Sequence, residues 1–209
     1  EIKKNFGFGC MRFPTVDEAV DVGAVMEMVD YFMEAGFNYF DTAHGYMEGK
    51  SEVVVAKCLT SRYPRDAYVL TDKLSAGCFE KAEDIRPLFE SQLALCGVEY
   101  FDFYLFHALN RNSYVKHKNC NTFEIVNKLH SEGKVRHIAM SFHDTADVLD
   151  RILTEQPCIE AVQLQINYLD WESPAFHAKE CYEIARKHGK EIIVMEPIKG
   201  GTLANLPPE

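Results

Sequence analysis

The chain has 209 residues, enough for one domain or one barrel and too few for two large lobes. It is 47% hydrophobic and 26% charged, which excludes the disordered, collagenous and disulfide-scaffold classes. With 22 Lys and Arg against 32 Asp and Glu, it lacks the basic footprint of a nucleic-acid binder, and no apolar run reaches the ~18 residues of a membrane span.

Residues 6–11 form a short apolar run that reads as a first strand. Thr15 and Glu18 have the spacing of a capping box, which predicts a helix beginning there and stopped by Gly36. On it Val22, Val25, Met26, Val29, Phe32 and Met33 share one face. Further strands are predicted at 38–41, 68–71, 101–106, 136–140, 161–166 and 191–195. Helical patterns lie between them, as in Ile85, Leu88, Phe89 and Leu93. Near-continuous apolar strands alternating with helices imply a parallel sheet covered by helices.

Polar residues close successive strands at Asp41, Lys73, His107, Ser141 and Asn167, followed by Pro197. The intervals are 32, 34, 34, 26 and 30 residues. A period near one βα unit favours an α/β fold of the (β/α)₈ TIM-barrel type over a doubly wound sheet, with residues 1–209 as a single barrel domain. Only seven strands are found. The sequence after Gly200 and Gly201 reads as a loop and a helix start, so the eighth strand–helix unit is expected to be missing and the chain to be a truncated form of a longer protein. Glu1-Ile-Lys-Lys-Asn5 has no signal-peptide core behind it, and the expectation is a soluble, cytoplasmic protein.

Cys10, Cys58, Cys78, Cys96, Cys120, Cys158 and Cys181 contain no Cys-x-x-Cys pair. Most read as reduced core thiols, and no metal site is expected. His117, His130, His137, His177 and His188 read as surface or helix-packing residues. Residues 110–121 read as a basic loop, either solvated or facing a substrate. His44 lies in the Asp41–Tyr46 loop and could line a pocket. Trp171 either caps a pocket or packs under a helix. Gly7-Phe-Gly9 is not a dinucleotide fingerprint, because the third glycine position holds Arg12.

In a barrel of this kind the C-terminal ends of the strands build the active site. A lysine closing an apolar strand needs a carboxylate, and Asp41 on the preceding strand is the natural partner of Lys73. Tyr46, five residues beyond Asp41, can bend back over the barrel mouth. An adjacent ammonium is expected to lower its pKa and make it a proton donor, with His107 bonding the same substrate oxygen. The set suits carbonyl reduction. The competing reading is a structural Asp41–Lys73 ion pair with Tyr46 and His107 packed beside it.

The segments Phe40-Asp-Thr-Ala-His-Gly-Tyr46, Leu70-Thr-Asp-Lys73, Asp102-Phe-Tyr-Leu-Phe-His107 and Gly133-Lys-Val-Arg-His-Ile-Ala-Met-Ser141 resemble the aldo-keto reductase family. The Gly7-Phe-Gly-Cys-Met-Arg12 opening and Met195-Glu-Pro-Ile-Lys-Gly-Gly201 match as well. The resemblance implies a (β/α)₈ barrel that reduces small aldehydes and ketones with NADP(H), NAD(H) being the other candidate. It makes Asp41, Tyr46, Lys73 and His107 a catalytic tetrad with Tyr46 as general acid. Ser141 and Gln163 fall where the family holds the nicotinamide carboxamide, with Asn167 a weaker candidate. Met195 falls where many relatives stack an aromatic on the ring. Cys10, Met11, His143, Pro197, Ile198, Gly200 and Gly201 complete the implied cofactor contacts, the two glycines by letting a loop approach the pyrophosphate. Ser141-Phe-His143 replaces a more common Ser-Asn and resembles a bacterial branch whose longer members carry a C-terminal iron–sulfur module. The cysteines for such a cluster would have to come from a longer natural chain. Two other functions use the same residues: a Schiff-base aldolase with Lys73 as nucleophile, and a non-catalytic module that binds nicotinamide cofactor and regulates a partner.

Overall fold

Seven parallel strands follow one another in chain order across a single sheet: β1 (Gly7–Gly9), β2 (Tyr39–Asp41), β3 (Val69–Ser75), β4 (Phe101–Leu109), β5 (Val135–Phe142), β6 (Ala161–Gln165) and β7 (Glu191–Met195). All seven coincide with apolar runs in the sequence. The computed structural model describes residues 1–205. Helices α1 (Val22–Glu34), α2 (Ser51–Val55), α3 (Ile85–Cys96), α4 (Arg111–Asn119), α5 (Thr122–Ser131), α6 (Ala146–Glu155) and α7 (Ala178–Lys187) fill the connections. The order is that of a (β/α)₈ barrel lacking one unit, with β1 and β7 at the two edges among the described residues. No helix there is long and apolar enough to cross a membrane.

Alternation along the strands sorts the side chains into two layers. From β4, Phe101, Tyr104, Phe106 and Leu109 join the main core under the helices. Leu105 instead faces the interior with Ala139 and Ala161, and Phe103 and Ile193 pack against them. Phe89 of α3 meets Phe101 and Tyr104 edge-on at 5.7 and 5.0 Å, tying that helix to the sheet. Burying each such ring stabilises the fold by about 1.5–3 kcal/mol. In β3, Leu70 and Leu74 lie in the outer layer, so Lys73 and Ser75 point inward and Asp72 outward. Gly7 makes room for an interior ring, since a Cβ there would stand 2.7 Å from Cδ1 of Tyr39.

Two local expectations are corrected. Thr15 and Glu18 do not cap α1. Thr15–Val16 pairs with Ala19–Val20 in a small hairpin whose turn residues Asp17 and Glu18 have φ of 49° and 64°, so Glu18 cannot occupy a helical position. The cap is Asp21, whose carboxylate accepts the Ala24 N–H at 3.0 Å. Residues 110–121 are not a loop either. Asn110 accepts the N–H groups of Asn112 and Ser113 while Ser113 Oγ accepts that of Asn110, and this reciprocal cap starts α4. After β7 a 3₁₀ segment, Lys199–Ala204, occupies the start of the expected loop. The rest of that expectation, residues 206–209, lies outside the described residues.

Candidate active site

Asp41, Lys73 and Tyr46 meet at the inner C-terminal ends of β2 and β3. Lys73 Nζ donates to Asp41 Oδ1 at 2.5 Å, to the Thr42 carbonyl at 2.8 Å and to Tyr46 Oη at 3.1 Å. Three donors thus meet three acceptors around a side chain with no solvent exposure. The other Asp41 oxygen accepts from Gln163 Nε2 at 3.0 Å, reaching across the interior from β6. Ser51 adds a further tie, bonding Thr42 Oγ1 and the Cys10 carbonyl, each at 2.8 Å. His107 sits edge-on to Tyr46, ring centroids 5.7 Å apart, and its Nδ1 is bonded to Ser75 Oγ at 2.6 Å. A register shift between Phe106 and Leu109, with Ala108 at φ 51°, ends the regular pairing around His107.

The charges settle unequally. Burial by itself would lower the Lys73 ammonium, but Asp41 and Tyr46 outweigh it and raise its pKa, so it stays charged. Tyr46 departs from the expectation. Burial raises the phenol and Asp41 adds to the rise, and together they overcome the downward pull of Lys73. The hydroxyl is therefore held protonated more firmly than a free tyrosine. His107 is pushed down to about 3 by burial, then by Lys73 and His143, and is neutral at ordinary pH.

The model of the aldo/keto reductase family matches residues 5–206. This chain belongs to that family. It is 26% identical over 195 residues to the NADH-specific methylglyoxal reductase of Escherichia coli, covering 84% of this chain and 57% of that protein. It is 26% identical over 192 residues to the 9,11-endoperoxide prostaglandin H2 reductase of Trypanosoma cruzi, covering 90% and 62%. The chain thus spans about three fifths of the length of these curated relatives. A Bacillus halodurans aldo-keto reductase in its holo form superposes with a TM-score of 0.78 at 24% identity, over 99% of this chain and 66% of that one. A Klebsiella pneumoniae aldo-keto reductase in complex with NADPH gives 0.75 at 18% identity, over 96% and 66%. At these identities the likeness is one of fold.

In this chain the remaining residues of interest fall into two groups. Ser141 and Gln163 are register partners on β5 and β6, both buried at the inner face. Ser141 Oγ accepts the Ala108 N–H at 2.7 Å and keeps its own proton to donate. Asn167 turns away, bonding Asp170 and the Glu196 carbonyl. Cys10 is packed into the core, its N–H given to the Asp41 carbonyl, whereas Met11 is exposed. Met195 is half-buried at the end of β7. Pro197 and Ile198 lie exposed in the following loop, which Lys199 anchors through an ion pair to Asp170. Gly200 and Gly201 have φ of 62° and 98°, a conformation that favours glycine. His143 is exposed and lines a cleft of about 380 Å³ with Gln165, Phe176 and His177, a cleft that none of Asp41, Tyr46, Lys73 or His107 lines. His44 is bonded to Glu52, His117 is buried against Thr122, and Trp171 packs edge-on against Tyr182 of α7.

Sequence reasoning missed the residues behind the site. Glu52, Asp72 and Gln92 are fully buried on the outer face of β3, and Ser75 and Thr42 serve the inner face. Only Ser75 carried a signal, being two residues beyond Lys73 and so on the same face.

Proposed function

We propose that this chain carries the catalytic centre of a nicotinamide-dependent carbonyl oxidoreductase, with Tyr46 as general acid and NADPH as cofactor. The carrying observation is the contact of Lys73 with both Asp41 and Tyr46. Lys73 donates to the phenol oxygen, so the phenol proton is free to point at a substrate oxygen. When that oxygen gains charge, Tyr46 gives up the proton and Lys73 stabilises the phenolate left behind. This ammonium is already in place and needs no reorganisation. Neutral His107, with Nδ1 engaged by Ser75, has Nε2 for a second hydrogen bond to the same oxygen. Asp41 keeps Lys73 charged and fixed.

The donor set fits a nicotinamide. A carboxamide offers one acceptor and two donors; the Ser141 hydroxyl and the Gln163 side-chain oxygen are complementary to it. Met195 would cover the ring, the segment of Pro197, Ile198, Gly200 and Gly201 would take the phosphate side, and Met11 and His143 would border the cofactor, whereas Cys10 sits in the core with both backbone groups taken and supports the site from behind. When bound, the dinucleotide supplies the hydride. The Klebsiella structure holds NADPH and the Escherichia coli relative is named for NADH, so both cofactors belong in the assay. Small aldehydes and ketones are the substrate class.

The aldolase alternative needs a neutral lysine, and Lys73 is held charged by Asp41 and Tyr46. The test is Tyr46→Phe. Turnover of a small dicarbonyl should fall by about 10²–10⁴-fold, while the cofactor dissociation constant, read by fluorescence titration, stays the same. A matching loss of cofactor affinity would refute the acid role, and a borohydride-trapped adduct on Lys73 would favour the aldolase. Cofactor binding with no turnover in the parent chain would favour a regulatory module.

A further inference from the structure

On the outer face of β3, opposite the site, two carboxyl groups are buried side by side. Glu52 of α2 and Asp72 of β3 have no solvent exposure, and their oxygens lie within 4.8 Å of each other and of Cys96 Sγ. Glu52 Oε2 is bonded to His44 Nδ1 at 2.9 Å, but Glu52 Oε1 has no hydrogen-bond partner among the described residues. Asp72 Oδ1 accepts the Lys73 backbone N–H at 2.7 Å, and the Cys96 thiol points at Asp72 Oδ2 at 3.8 Å. The Lys73 carbonyl accepts from Gln92 Nε2 at 3.0 Å, and Gln92 is held in turn by Tyr104 Oη at 2.6 Å. Both backbone groups of Lys73 are therefore gripped from the outer side. His44 stands two residues before Tyr46, so Glu52 also holds the loop that carries the phenol.

We propose that Glu52 and Asp72 share one proton, and that the pair is a positioning device fixing the Tyr46 loop against the Lys73 strand. Two buried carboxylates this close cannot both be ionised cheaply, and a proton between them gives Glu52 Oε1 the partner it otherwise lacks. The titratable groups facing the pair are His44 from the loop, Cys96 from α3, Cys78 from the turn after β3, Cys10 just beyond β1 and Tyr104 from β4. Lys73 is adjacent in sequence, but its ammonium lies on the inner face and is taken by Asp41. Burial, followed by the neighbouring carboxylate, raises Asp72, and burial raises Glu52, in line with a retained proton. As pH rises, losing that proton sets two charges against each other and loosens the tie between loop and strand.

The kinetic part of this inference rests on the reductase reading; the shared proton does not. Infrared spectroscopy of the whole chain near neutral pH should show the C=O stretch of a protonated carboxylic acid, shifted by deuteration and absent in both Glu52→Gln and Asp72→Asn. No such band in the parent chain, or its survival in either variant, overturns the shared proton. So does one tightly held zinc or manganese per chain by plasma mass spectrometry, since a cation would then occupy the gap. In turnover, Glu52→Ala should lose up to about 10²-fold in kcat with KM little changed, the scale of an ångström-sized misplacement. Glu52→Gln, which keeps both hydrogen bonds at every pH, should restore kcat and remove one ionisation from the alkaline limb. If Glu52→Ala does not fold, the Gln variant decides. An alkaline limb identical to the parent's refutes the positioning role, and a chain without turnover leaves the infrared outcome standing.

Discussion

The β2–β3 side of the barrel and the β6–β7 side differ in how completely they are enclosed. Six of the seven residues of β3 are buried, and its polar groups find partners within the chain. No residue of β7 is fully buried, Val194 is 48% exposed, and Ile198 in the loop beyond it is 51% exposed. The first side is a closed charge network in which Lys73 is held by Asp41, Thr42 and Tyr46. The second is an edge of the sheet: Val194 shares the outer side with Ile192, and no helix among the described residues covers Val194. If this division is real, substitutions on the β3 side should cost stability as well as chemistry, and matching changes on the β7 side should cost little.

The largest effect is expected at Asp41. Asp41→Ala strands a buried ammonium and should lower unfolding free energy by about 3–5 kcal/mol, measured by urea denaturation. A change below 1 kcal/mol would mean that Lys73 is not held as described. Next comes a paired truncation. Leu74, fully buried under the helices, should lose about 2–5 kcal/mol on change to Ala. Val194→Ala, half exposed on β7, should stay below about 1 kcal/mol. Equal costs would erase the distinction between the two sides.

A smaller effect is expected from acid. His117 has no solvent exposure beside Phe79 and Phe106, and burial, then Lys116, pushes it down to about 4. The unfolded chain takes up this proton below about 6.5, and the native chain refuses it until about 4. His117 therefore adds no penalty above pH 6.5, and stability falls as pH drops through that window. Between pH 7 and 5 the loss should be about 2 kcal/mol. His117→Gln should remove most of that slope in denaturation curves at the two pH values, and an unchanged slope would place its origin elsewhere.

Much of the site was legible because strand periodicity is simple. Asp41, Lys73 and Tyr46 follow from strand ends one βα unit apart and from the need of a buried lysine for a carboxylate. Glu52 and Asp72 were not legible. They lie 20 residues apart on different elements, and only the packing of α2 on β3 brings them together. The pKa of Tyr46 was misjudged for a related reason: a neighbouring charge can be read from sequence, but the depth of burial that opposes it cannot. Asn110 is a different case, since its Asn-x-x-Ser pattern was present and the basic residues after it drew the reading toward a loop. Thr15 and Glu18 failed because a capping pattern needs a helix to cap, and the intervening residues close a hairpin instead.

The smallest expected effect tests how the two sides meet. Arg12 follows β1 and Glu196 follows β7, so their 3.3 Å contact bridges the two edge strands of the sheet. The side chains are 61% and 27% exposed, which leaves the pair open to screening. An exposed ion pair is worth about 0–1 kcal/mol, too little to hold two sheet edges together by itself. A double-mutant cycle of Arg12→Ala and Glu196→Ala should give a coupling in that range, fading as salt is raised from low to molar ionic strength. A coupling well above 1 kcal/mol that survives molar salt would mean that the contact locks the edges together. The β7 side would then be as fixed as the β3 side, and the contrast between them would have to be abandoned.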